Sequence, residues 1–98
     1  MTATEAQHMR ELLQLNQIKM AIVVGVSQPM ISKLEKQGTD NSKICAVMNV
    51  LKNMIEEGHE LMIPFLTNTH TLEDLKRVRV ELVSREMDTL IMAWAYIK

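Results

Sequence analysis

Residues 15–38, LNQIKMAIVVGVSQPMISKLEKQG, decide how the chain folds. Two short helical patterns lie on either side of a glycine. Asn16 is a residue type that caps a helix by accepting an orphan backbone N–H, so a helix is expected from Gln17 to Val24. Gly25 follows, where leaving a helix through the left-handed region favours a residue without a Cβ. Ser27 is placed to cap a second helix, and Pro29 falls in that helix's first turn, where a missing N–H costs nothing. Met20, Val24, Val26, Ile31 and Leu34 are the positions two crossing helices would bury. Ala21 is small where the second helix must approach the first closely.

Such a pattern has the logic of a helix-turn-helix. It also carries a resemblance. Gln17, Ala21, Gly25, Val26, Ser27, Gln28, Ile31, Ser32, Leu34 and Glu35 stand at the spacing found in phage repressor and Cro-type (XRE family) DNA-binding proteins. The stretch resembles the helix-turn-helix of that family over roughly residues 9–55 and stops before the last third of the chain. The resemblance implies a DNA-binding regulator in which Gln28, Pro29 and Lys33 align with base-reading positions. Gln17 aligns with a phosphate-contacting position.

The residues themselves support those roles. In a helix-turn-helix the second helix enters the major groove and its N-terminal residues reach base edges. Spacing alone exposes Ser27, Gln28, Pro29, Ser32, Lys33 and Lys36, leaves Met30 intermediate, and turns Ile31 and Leu34 inward. A glutamine amide can bond adenine N6 and N7 together, which singles out Gln28. Lys33 can reach guanine or a phosphate, Ser32 can donate to base or backbone, and the Pro29 ring can pack on a thymine methyl. The candidate base-reading set is therefore Gln28, Pro29, Ser32 and Lys33. The candidate phosphate set is Gln17, Ser27, Lys36 and Lys43, although capping explains Ser27 equally and a solvated surface explains both lysines.

Composition bounds the rest. At 98 residues the chain is one small domain, and 47% hydrophobic content with only 3% aromatics demands an aliphatic core filled out by nine methionines. Three glycines and two prolines suit an all-helical protein. The net charge of −1 is unusual for a nucleic-acid domain; the motif-bearing residues 1–38 reach only +1. Affinity would then need two copies on one site or a local patch. Cys45 stands alone, which rules out an internal disulfide and fits a reducing cytoplasm. No signal peptide or membrane-length apolar run is visible. His8, His59 and His70 lack ligand-spaced partners and no phosphate-cradling glycine loop occurs, so neither an enzyme, a metal site nor a cofactor is expected.

Outward from the motif, Thr2 and Glu5 have capping-box spacing, and Ala6, Met9, Leu12 and Leu13 predict a first helix ending near Gln14 or Leu15. Ile44, Val47, Met48, Leu51, Met54 and Ile55 predict a fourth helix, capped by Asn41 or Ser42 and ending at Gly58, that covers the first three. Residues 61–66, LMIPFL, admit either a short edge strand with Leu61, Ile63 and Phe65 on one side or an irregular connector. Thr71 or Thr69 can cap a last helix with no glycine or proline from Leu72 onward. One apolar stripe there is Leu72, Leu75, Val78 and Leu82. A second follows a heptad, with Val80, Met87 and Trp94 in one series and Val83, Leu90 and Ile97 in the other. The first stripe can dock on the bundle and the second on a partner chain; a helix packed only in cis is the other option.

The expectation is an all-α protein. A four-helix repressor-like helix-turn-helix bundle (1–58) is followed by a short apolar connector (59–71) and a long C-terminal dimerisation helix (72–98). Its function would be that of a homodimeric repressor reading a palindromic operator in double-stranded DNA, with half-sites about 34 Å apart. The alternatives are an antitoxin that regulates its own operon while its C-terminal segment binds a toxin, and a protein-interaction module that no longer binds DNA. An antirepressor is another conceivable protein partner.

Overall fold

The computed structural model describes the backbone of residues 1–97 and the side chains of residues 1–85. Those residues form helices and no strand. They are α1 (Ala3–Leu12), α2 (Gln17–Val24), α3 (Gln28–Gln37), α4 (Ser42–Glu56), a 3₁₀ turn (Glu60–Met62), α5 (Ile63–Leu66) and α6 (Leu72–Ile97).

The helix starts follow the caps. Thr2 Oγ1 accepts the Glu5 N–H at 3.1 Å, Asn16 Oδ1 the Lys19 N–H at 2.8 Å, and Ser27 Oγ the Met30 N–H at 3.3 Å. Asn41 Oδ1 takes both the Lys43 and Ile44 N–H groups at 3.1 Å. Each such cap stabilises its helix by about 1 kcal/mol. Ahead of α6, the Asp74 carboxylate accepts the Thr71 N–H at 2.8 Å and the Thr71 hydroxyl at 3.1 Å.

Two expectations change. The first helix ends at Leu12 rather than near Gln14 or Leu15, because Gln14 adopts φ +56. Leu13 and Leu15 are both buried. A continuing helix would set them about 160° apart, whereas the left-handed residue between them turns both into the core. Residues 61–66 are neither an edge strand nor irregular. They are helical, with Met62 and Phe65, three residues apart, buried and Ile63 exposed. Pro64 sits in the first turn of α5, where its missing N–H is not needed.

The core joins Met20, Val23 and Val24 of α2 to Ile31 and Leu34 of α3, and Met48, Leu51 and Met54 of α4 to Phe65. Val26, Ile44 and Ile55 pack at its edge. Of the docking stripe on α6, Leu75, Val78 and Leu82 are buried while Leu72 is exposed at the helix start. α6 lies against both α2 and α4, taking up much of the covering role expected of α4 alone. Among the described residues, no helix is long and apolar enough to cross a membrane.

Gly38 ends α3 at φ +70, and the chain start crosses directly over it. Thr39 N–H donates to the Met1 carbonyl at 3.0 Å, and a Cβ on Gly38 would come within 2.6 Å of that same oxygen. The loop between α3 and α4 is thereby pinned to the N-terminus.

Candidate nucleic-acid interface

α2 and α3 are joined by three residues, Gly25, Val26 and Ser27. Gly25 takes φ +81 and donates its N–H to Ala21 O at 2.8 Å, and the Val26 N–H reaches the same carbonyl at 3.1 Å. The reversal is therefore closed by backbone bonds as well as by burial. Over it lies the Arg79 side chain of α6, whose Nη1 donates to Val24 O at 2.9 Å. A Cβ on Gly25 would collide with that guanidinium.

With Ile31 and Leu34 buried, α3 turns its other side outward. Gln28, Pro29, Lys33 and Lys36 are exposed there. Ser27 is exposed but bonded as the cap, and Lys43 is exposed in the first turn of α4. Ser32 is half-buried, not exposed as its spacing suggested. It lies four residues after Gln28 and three before Glu35, on the edge of α3 that faces α2.

Along that edge runs a chain of polar bonds. Arg10 of α1 grips Glu35 of α3 through Nε at 2.9 and 3.0 Å and Nη2 at 2.7 Å, and its Nη1 donates to Leu15 O at 3.0 Å. The Glu35 side chain is 7% exposed and that of Arg10 19%. The hydrogen bond to Glu35 raises the Arg10 pKa against the opposing effect of burial, and so favours the charged guanidinium. Gln17 Nε2 donates to Glu35 Oε2 at 3.4 Å, and Gln28 Nε2 donates to Gln17 Oε1 at 2.8 Å. An ionised carboxylate only accepts, so Glu35 orients the Gln17 amide, and Gln17 in turn orients Gln28. Gln28 keeps Oε1 and its second N–H for another partner. That is one acceptor and one donor, the pair adenine N6 and N7 require.

The structure thus brings Gln17 and Gln28 into contact and seats Pro29, Lys33 and Lys36 on the same outer face. Lys43 stands apart, beside a hollow of about 220 Å³ lined also by Gly25 and Arg79. On α6, Val80 is 68% and Val83 39% exposed. The side chains of Met87, Leu90, Trp94 and Ile97, the rest of the expected dimerisation set, lie outside the described residues. Sequence reasoning missed two participants. Arg10 carries no local sign of its partner, which lies 25 residues away. Glu35 does carry one, since helical spacing puts it in the buried sector with Ile31 and Leu34, where a charge demands a counter-charge.

No group of three His, Cys, Asp or Glu side chains suited to a metal ion occurs among the described residues. Comparison of the chain with family models, with curated proteins and with solved structures finds no match.

Proposed function

We propose that this chain is a sequence-specific regulator of transcription that binds double-stranded DNA as a homodimer, most simply a repressor. In this reading α1–α4 form a repressor-like helix-turn-helix bundle and α3 is the helix that enters the major groove. The observation that carries it is the Arg10–Glu35–Gln17–Gln28 chain, which ends on an exposed amide at the start of α3. A merely structural helix would have no need to hold a surface glutamine in one orientation. Lys33 and Lys36 are exposed farther along α3, and the one acid of that helix, Glu35, is already paired with Arg10. Exposed Val80 and Val83 supply the beginning of a seam for the second copy, which a chain whose first 38 residues reach only +1 needs in order to bind tightly.

The test is a binding titration by fluorescence anisotropy against the DNA upstream of the protein's own coding sequence, with random-sequence DNA as competitor. Specific binding should survive the competitor and weaken steeply with salt. Equal affinity for both DNAs, or a flat salt response, would refute the proposal.

A further inference from the structure

We propose that Met30 is a further specificity-determining residue, and that it reads the 5-methyl group of a thymine beside the base pair facing Lys33. This rests on the DNA-reading role proposed for α3. Ile31 and Leu34, the other aliphatic residues of that helix, are buried, but Met30 is 40% exposed. It borders an open hollow of about 240 Å³ whose apolar floor is Met30, Leu34 and Ile44 and whose polar rim includes Lys33 and Asn41. An unbranched thioether at such an edge is polarisable and can change rotamer to fit an apolar group.

Helix geometry says which base it meets. Met30 and Lys33 are about 60° apart around the axis and about 4.5 Å along it, whereas Met30 and Gln28 are about 160° apart. Met30 therefore shares the Lys33 side of the helix, toward α4, and leaves the base at Gln28 to the amide. A rise of about 4.5 Å is close to one base step of about 3.4 Å. The surroundings favour DNA over a protein as occupant. Lys33 stands on the rim of the hollow, and residues 27–43 expose three lysines, Lys33, Lys36 and Lys43, against one acid, Asp40. In the major groove the apolar group a base offers is the thymine methyl.

The experiment replaces thymine by deoxyuridine, which removes the methyl and leaves every hydrogen-bonding atom in place. The probe is the tightest duplex that the full-length protein selects from a random-sequence pool, with each thymine substituted in turn. The wild type should lose about fourfold in affinity at one position in each half-site, the worth of one buried methyl. Met30→Ala should bind the parent duplex correspondingly more weakly and be indifferent to uracil at that position. Met30→Leu, still apolar, should keep the uracil penalty. Equal binding of every uracil duplex by the wild type, or a penalty that persists in Met30→Ala, overturns the assignment while leaving DNA reading intact. Failure to select any sequence from the pool overturns the DNA-reading role itself, and Met30 falls with it.

Discussion

Replacing Glu35 with leucine isolates the interaction on which the polar edge of α3 rests. The substitution removes three charged contacts from Arg10 and leaves its guanidinium with only the Leu15 carbonyl at 3.0 Å. Breaking a fully buried pair by deleting one member costs about 3–5 kcal/mol. The Arg10 side chain keeps 19% exposure, so water reaches part of the orphaned charge and the expected loss is about 2–3 kcal/mol. In a domain this small, that is a fall in Tm of roughly 10–20 °C. Arg10→Met should cost at least as much, since it strands a carboxylate that is only 7% exposed. The double variant, Arg10→Met with Glu35→Leu, should recover to within about 1 kcal/mol of wild type, because neither charge remains to be desolvated. Urea denaturation of the four proteins gives the cycle, provided the m-value stays constant. If the two single losses simply add in the double variant, the pair is not coupled. Arg10 would then not be what holds Glu35 in place.

Three other outcomes follow from the same geometry. Gly25→Ala forces a Cβ into a left-handed position and against Arg79, so it should cost about 1–2 kcal/mol; in an Arg79→Met background the added cost should shrink, and a cost indifferent to residue 79 would mean that the guanidinium does not restrict the turn. Gln28→Ala should reduce discrimination between the selected duplex and random DNA. Gln17→Ala should reduce it too while also weakening binding to every sequence, and the double variant should discriminate no worse than Gln28→Ala alone; independent, additive losses in discrimination would show that the 2.8 Å bond between them plays no part in reading. Val80→Glu with Val83→Glu changes two exposed positions, so thermal stability measured on dilute protein should move by less than about 1 kcal/mol while sedimentation shifts from dimer to monomer. An unchanged dimer would place the seam elsewhere.

What could be read from the sequence was what depends on near neighbours. Asn16, Ser27 and Asn41 cap donors two or three residues away, and Gly25 answers a local need for positive φ. The alternation of buried and open positions on α3 follows from 3.6-residue spacing, which is why the exposure of Gln28, Lys33 and Lys36 is legible in the sequence. Residues 61–66 resisted because six apolar residues satisfy either period, and Pro64 suits the first turn of a helix as well as an edge strand. Gln14 could not be foreseen as a left-handed residue. Its conformation is set by what Leu13 and Leu15 must both reach, and its side chain is held by the Phe65 and Leu66 carbonyls some fifty residues on. Arg79 belongs to the same class. Nothing around it in the sequence says that it will cross 55 residues to close α2.

That last contact bears on how two weakly charged copies could act together. Arg79 and Val80 are successive residues of α6, so they point about 100° apart around its axis. One reaches inward to the turn between α2 and α3; the other stands open on the face proposed for the second copy. The proposed seam would then begin one residue from the side chain that closes the turn between α2 and α3, with Val78 and Leu82 buried on either side. A flexible tether between two binding modules raises affinity by holding the second near the first, but it leaves their spacing free. A short rigid connection also fixes the distance and angle between the two α3 helices, and one half-site separation is then favoured over all others. On a chain of net charge −1, such selection by spacing matters more than on a basic one, because phosphate attraction alone cannot hold a misplaced second copy.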